Sequence, residues 1–239
     1  MKVALISGGT KGIGRGVVDQ LLSDGMAIAT FSRNSDQVSR LQEELAGKYN
    51  ADRFLVSNGD VTSEESVAAV VSRVKEKFGQ IDVLVNNAGV GYFRDVDAFD
   101  LARFEQMIST NIVGVALLTK HVVPVMKVSK KGLIINVASI SGKVAFANGE
   151  FYSATKFAVM GYSQAIRAEL APFGIKVSTI CPGMIKTDFF DEEELERRKK
   201  IWNGKIPQML EVSDITRLVS LITNQSEHSD IQDLTIMPF

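Results

Sequence analysis

The chain begins with a short apolar run, Val3-Ala4-Leu5-Ile6, that stops at Ser7-Gly8-Gly9-Thr10-Lys11-Gly12-Ile13-Gly14. Beyond it Ile13, Val17, Val18, Leu21 and Leu22 keep helical spacing. An apolar run without polar alternation predicts a strand covered on both faces, which is the signature of a parallel sheet. Such a strand, a glycine-rich turn and a helix in direct succession form the opening half of a βαβ unit. The run meets its glycines too soon to be the core of a signal peptide.

The same alternation recurs along the chain. Apolar runs predict strands over 26–31, 54–57, 81–85, 132–137, 174–180 and 234–237. Helical patterns lie over 35–48, from Thr62 or Ser63 through Phe78, over 101–127 with a kink expected near Pro124, over 152–171 and over 213–222. With 239 residues, 45% hydrophobic and 23% charged, the chain is expected to form one α/β domain over 1–239. The net charge of −1 gives no reason to expect a nucleic-acid or membrane partner. No run is expected to reach the length of a membrane span. The single Cys181, in an apolar run, cannot form an internal disulfide, and a reducing, cytoplasmic setting is expected.

The first six apolar runs end in small or polar residues, and these carry the chemistry. In the first loop Gly8, Gly12 and Gly14 let backbone approach a pyrophosphate, with Thr10, Lys11 and Ile13 between them and a helix N-terminus behind. The alternative is a tight βα turn that binds nothing. The second run ends in Ser32-Arg33-Asn34, where a carboxylate would hold the ribose hydroxyls of NAD. None is present, and Arg33 with Lys11 can instead grip a 2′-phosphate, so NADP(H) is the expected cofactor. After the third run, Asp60 can accept from an adenine amino group while Val61 packs on the ring; a turn aspartate is the alternative. After the fourth, Asn87-Ala88-Gly89 permits a flat group against backbone.

Ser139 follows the fifth run, and Tyr152 and Lys156 lie one helical turn apart on the next helix. Bringing a tyrosine from about pH 10 to about 7 takes about 4 kcal/mol of preferential stabilisation of the phenolate, and a close ammonium acts in that direction. Such a tyrosine can protonate a carbonyl oxygen as hydride reaches its carbon, with Ser139 holding the same oxygen. Asn111, among apolar neighbours, either holds a water that relays protons to Lys156 or is a core amide satisfied by backbone. His121 and His228 have no partner cluster and read as surface residues, so no metal site is expected. Pro182 and Gly183 leave the sixth strand, with Ile185 and Thr187 beyond.

In this order the motifs resemble those of the short-chain dehydrogenase/reductase family, NADP-dependent type, and the resemblance covers essentially the whole chain. It implies a Rossmann-type doubly wound sheet of seven parallel strands with helices on both faces. It implies that Tyr152 is the acid/base, that Ser139 polarises the carbonyl, and that Lys156 lowers the tyrosine pKa and binds nicotinamide ribose. Asn111 matches the proton-relay position. Gly8, Thr10, Lys11, Gly12, Ile13 and Gly14 match the pyrophosphate loop, and Arg33, flanked by Ser32 and Asn34, the 2′-phosphate position. Asp60 and Val61 match the adenine contacts, Asn87, Ala88 and Gly89 the central loop, and Pro182, Gly183, Ile185 and Thr187 the nicotinamide side. Ser7 stands where a threonine is usual and keeps the hydroxyl. The C-terminus lacks the glycine-rich ending of many members and is closer to reductases of hydroxy acids and ketones. A homodimer or homotetramer is implied by the resemblance alone.

The expected activity is that of an NADPH-dependent carbonyl reductase, reversible as an alcohol dehydrogenase. Its substrate is a ketone, aldehyde or 3-hydroxy/3-oxo acid. A 3-oxoacyl thioester reductase and a non-catalytic NADP(H) sensor are the alternatives. Tyr92, Phe93, Val144, Phe146, Met184, Phe190 and Trp202 are expected to line the substrate pocket. Residues 186–211 read as a lid: Glu193/Arg197 and Glu194/Arg198 are spaced for a solvated helix, flanked by Phe189, Phe190, Ile201 and Trp202.

Overall fold

The computed structural model describes residues 1–190, 192–201, 204 and 208–239. Its strands are β1 Val3–Ser7, β2 Ala27–Ser32, β3 Phe54–Asn58, β4 Val83–Asn86, β5 Gly132–Val137, β6 Ile175–Pro182 and β7 Asp233–Ile236. They form a seven-stranded, fully parallel sheet in the order β3-β2-β1-β4-β5-β6-β7. The helices are α1 Gly12–Ser23, α2 Ser35–Ala46, α3 Glu64–Phe78, α4 Leu101–Ile108, α5 Gly114–Ser129, α6 Glu150–Leu170, α7 Glu192–Ile201 and α8 Val212–Thr223.

Alternation within the strands fixes the two layers. Ala4 and Ile6, Val83 and Val85, and Leu133 and Ile135 face one way, onto Val17 and Leu21 of α1, Leu41 of α2 and Val219 of α8. Val3 and Leu5, Leu84 and Ile134 face the other way, onto Val70 and Val74 of α3, Leu118 and Val122 of α5 and Ile166 of α6. Both faces are covered, so the strands are apolar throughout and the fold is doubly wound.

Pro124 stays inside α5, and the long helix carries a π-helical turn at Ser109–Val113 that joins α4 to α5. One expectation needs correction: a run of spanning length is present. Leu101–Ser129 is continuous over 29 residues with a mean hydropathy of 1.5 in its most apolar window, so by length and composition it could cross a membrane. In this fold its Leu118, Val122 and Met126 are buried in the core on one face of the sheet. The strand ends also shift. β6 runs on through Cys181 and Pro182 because these pair with Thr235 and Ile236 of β7.

Candidate active site

β1 and β4 are neighbours from which the chain winds in opposite directions, and open α/β sheets bind ligands at the carboxyl ends beside such a switch point. The two loops there are locked together. The Ser7 hydroxyl accepts from the backbone N–H groups of Asn87 and Ala88, each at 3.0 Å. The Asn87 amide in turn donates to the carbonyls of Ser7 at 3.0 Å and Gly8 at 3.2 Å. Gly8 and Gly12 have φ of +69° and +56°, which side-chain-bearing residues rarely adopt. A Cβ on Gly14 would lie 2.2 Å from the Gly8 carbonyl oxygen, so this glycine lets α1 pack against its own loop.

One cavity of about 670 Å³ runs along the carboxyl edge of the sheet. At one end stand Thr10, Lys11, Ser32 and Arg33; Asp60 and Val61 lie beside them, Asn87, Ala88 and Gly89 at the middle, and Ile13 and Gly12 below. Pro182, Gly183, Ile185 and Thr187 complete the wall, with Thr187 beside Gly12 of the first loop. The shape and the positive-φ glycines fit an extended dinucleotide. Two expected cofactor residues stand outside the cavity wall, and a third is in part engaged within the protein. The Asn34 side chain caps α2, accepting from Gln37 N–H at 2.9 Å, and stands outside the cavity wall. Gly14 also lies outside it, as a packing residue. Asp60 lines the cavity, yet one of its carboxylate oxygens already holds the Thr62 N–H and hydroxyl at 2.9 and 2.8 Å. Gln37 was not anticipated: its carbonyl oxygen accepts from the Thr10 hydroxyl at 2.9 Å and it joins the wall near Arg33.

The far end holds Ser139, Tyr152 and Lys156. β5 delivers Ser139, which caps the short helical turn Ile140–Gly142 by accepting from Ser141 N–H at 3.1 Å. α6 carries the other two. Its approach depends on Gly142, where a Cβ would lie 2.7 Å from the Lys156 carbonyl. Burial pushes the Tyr152 phenol up to about 12, opposed by its hydrogen bond with Ser139 and by the Arg198 cation. Burial also draws the Lys156 ammonium down to about 8. Lys156 donates to the Val137 carbonyl at 3.0 Å and stands 5.7 Å from the centroid of the Tyr152 ring. Desolvation dominates both groups, and the Ser139 hydrogen bond and the Arg198 cation oppose it at the phenol.

Asn111 sits in the π-helical turn. It accepts from Val90 N–H at 2.9 Å and donates to the Val90 carbonyl at 2.9 Å and the Thr155 hydroxyl at 3.0 Å. Thr155 in turn donates to the Tyr152 carbonyl at 2.8 Å. These bonds engage the amide within the protein and fix the loop after β4 to the helix of Tyr152.

Over this end lies an aromatic cluster. Phe93 is 5.2 Å from Tyr152 and 5.3 Å from Phe190 between ring centroids. Phe93, Phe146, Met184 and Phe190 line the cavity as expected, together with Phe189. Val144, 64% exposed, and Tyr92 do not. Trp202 lies outside the described residues. The helix expected to be solvated is so on one side only: Glu192, Glu196 and Lys200 are exposed, whereas Glu194 and Arg198 are only 5% and 7% exposed and Arg198 lines the cavity. Its Nε donates to Glu194 at 2.6 Å, and its guanidinium lies over Phe93, Phe190 and Phe146 at 4.5, 4.7 and 5.2 Å. Sequence spacing gave the pair but not its burial, because an i,i+4 ion pair looks the same on a solvated and a buried face.

A family model described as short chain dehydrogenase matches residues 2–198. An uncharacterised oxidoreductase of Staphylococcus saprophyticus is 32% identical over 237 residues, 99% of this chain and 97% of that protein. Among solved structures, an alcohol dehydrogenase from the archaeon Thermococcus sibiricus, complexed with 5-hydroxy-NADP, superposes with a TM-score of 0.85 at 26% identity, covering 99% of this chain and 96% of that one. A 3-ketoacyl-(acyl-carrier-protein) reductase from Brucella melitensis, complexed with NADH, superposes with a TM-score of 0.87 at 27% identity, covering 99% and 96%.

Proposed function

This chain belongs to the short-chain dehydrogenase family and is an oxidoreductase, and we propose that it is an NADPH-dependent carbonyl reductase, reversible as an alcohol dehydrogenase. The observation that carries the reading is one cavity walled by the glycine loop and Arg33 at one end and by Ser139, Tyr152 and Lys156 at the other. When bound, the reduced nicotinamide supplies a hydride. Ser139 holds the substrate carbonyl oxygen, and Tyr152 gives that oxygen its proton as the carbon gains hydride, so C=O becomes H–C–OH. A phenol held up by burial is protonated at neutral pH and ready to donate. Lys156 holds the ribose on the reactive side, and Asn111 acts as a positioning residue. Residues 186–211 serve as the lid. The Ile185–Leu210 pairing clamps its base, and Phe189 and Phe190 close the cavity from above.

Preference for NADPH rests on this chain's own residues, since its structural neighbours include complexes with both 5-hydroxy-NADP and NADH. Lys11 and Arg33 both line the adenosine end, where the end of β2 offers no carboxylate. We extend the reading to a homodimer or homotetramer: Val113 and Phe157, on the outer sides of the π-helical turn and α6, are apolar and exposed, which light scattering can test.

The deciding experiment follows NADPH absorbance with ketones, aldehydes and 3-oxo esters, comparing wild type with Tyr152→Phe. Turnover should fall by about 10²-fold or more in the variant, the contribution of a positioned proton donor. Turnover retained by the phenylalanine enzyme would remove Tyr152 from the mechanism. Arg33→Asp should shift the preference toward NADH; unchanged cofactor choice would withdraw the role given to Arg33.

A further inference from the structure

Arg198 itself gives and takes neither hydride nor proton, yet its cation stands at the reacting end of the cavity, where it opposes the rise of the Tyr152 pKa. Its guanidinium lies over three phenylalanine rings, one of which, Phe93, packs on Tyr152. A charge in apolar surroundings is costly, and burial holds the Arg198 pKa down. Holding the lid onto its aromatic floor does not require a charge; a leucine or methionine on α7 would do that. A guanidinium whose planar fork matches a carboxylate is suited to recognition.

Glu194 does not stand in the way. It bonds Arg197 twice, at 2.9 Å from both Nε and Nη2, and meets Arg94 at 3.5 Å, so its own charge stays compensated if Arg198 turns part of its fork to another anion. The Glu194 bond to Arg198 Nε meanwhile sets the orientation of the guanidinium. The aromatic walls exclude water and so strengthen any ion pair made between them. A neutral substrate gains less from such a group than a carboxylate, which would otherwise be expelled from these walls.

We propose that Arg198 is the specificity-determining residue of this site, receiving a carboxylate on the substrate, so that the enzyme acts on oxo acids and the corresponding hydroxy acids rather than on neutral ketones. This rests on the reading of Tyr152 as the proton donor at the same end of the cavity. The carboxylate lies on the lid side and the carbonyl between Ser139 and Tyr152.

The test pairs 2-, 3- and 4-oxo carboxylates with their methyl esters, in wild type, Arg198→Lys and Arg198→Met. The best acid should exceed its ester in kcat/KM by about 100-fold in wild type. That ratio should fall to near one in the methionine variant and be partly kept by lysine. A wild-type ratio near one, or a ratio unchanged in Arg198→Met, would overturn the proposal and leave Arg198 as a clasp for the lid. A second readout needs no turnover: calorimetry of the same oxo acids binding to the enzyme with oxidised cofactor. If no pair is turned over but the acids bind and Arg198→Met loses that binding, the carboxylate site stands and the reductase reading fails. If acids and esters bind alike, the proposal fails whatever the activity.

Discussion

Tyr152 and Lys156 share a helix face and a buried setting, but burial moves them in opposite directions. The phenol rises to about 12 and the ammonium falls to about 8, each toward its neutral form. The consequence for rate can be worked out in sign. In reduction Tyr152 must carry its proton, and it does so well above neutrality. Lys156 must keep its charge to serve as a cation, and it loses that charge as pH rises through about 8. Reductive kcat/KM should therefore fall above about pH 8 with a lysine limb, and Lys156→Arg, which cannot deprotonate in this range, should flatten that limb. A limb that survives the arginine variant would belong to another group. At this scale the sequence was legible where spacing alone places two side chains together, as for Tyr152 and Lys156. It was not legible for Arg198, whose spacing from Glu194 suits a solvated helix equally well and whose role depends on which way α7 faces. Nor could it show that Lys156 is engaged by the Val137 carbonyl, a contact set by how α6 crosses β5.

Between α4 and α5 the π-helical turn inserts backbone where Asn111 must reach both Val90 and Thr155, and such turns recur at functional sites. It connects the loop after β4 to the helix of Tyr152 through side-chain bonds. Asn111→Ala leaves the Val90 N–H without its partner, which should cost about 1–3 kcal/mol of stability, read as a lower urea midpoint at unchanged slope. Because Thr155 bonds the Tyr152 carbonyl, kcat should fall more than the affinity for the nicotinamide cofactor. If both fall alike, Asn111 serves the loop alone. The long helix was legible from its apolar spacing. Its π-turn was not, since the run Ser109–Val113 is poor in helix formers but low propensity does not specify a π-turn, which arises from tertiary demand.

At the scale of the whole molecule, the sites proposed for adenosine, pyrophosphate and the reacting group come from six different strand ends. They converge because a parallel sheet puts all its carboxyl ends on one edge. The strands were legible as apolar runs, and their boundaries only to within a few residues. Their order in the sheet is fixed by crossovers that periodicity does not encode; the family resemblance implied a doubly wound sheet of seven parallel strands without giving that order. A cradle assembled from so many elements exists only in the folded chain, so cofactor binding must appear as stability. At about 100 times its dissociation constant a ligand adds about 2.7 kcal/mol, and each kcal/mol is worth about 2–4 °C in Tm for a chain of this size. NADPH should thus raise the melting temperature by about 5–10 °C. NADH at the same concentration should raise it less, because it offers Lys11 and Arg33 no 2′-phosphate. Gly14→Ala should abolish the rise: its Cβ would meet the Gly8 carbonyl oxygen and the Asn87 amide, driving apart the loops that form the middle of the cradle. Equal rises with the two cofactors would remove the NADPH preference. A rise kept by the alanine variant would show that the cradle accommodates a widened loop, and the close packing of α1 would then serve the fold rather than the cofactor.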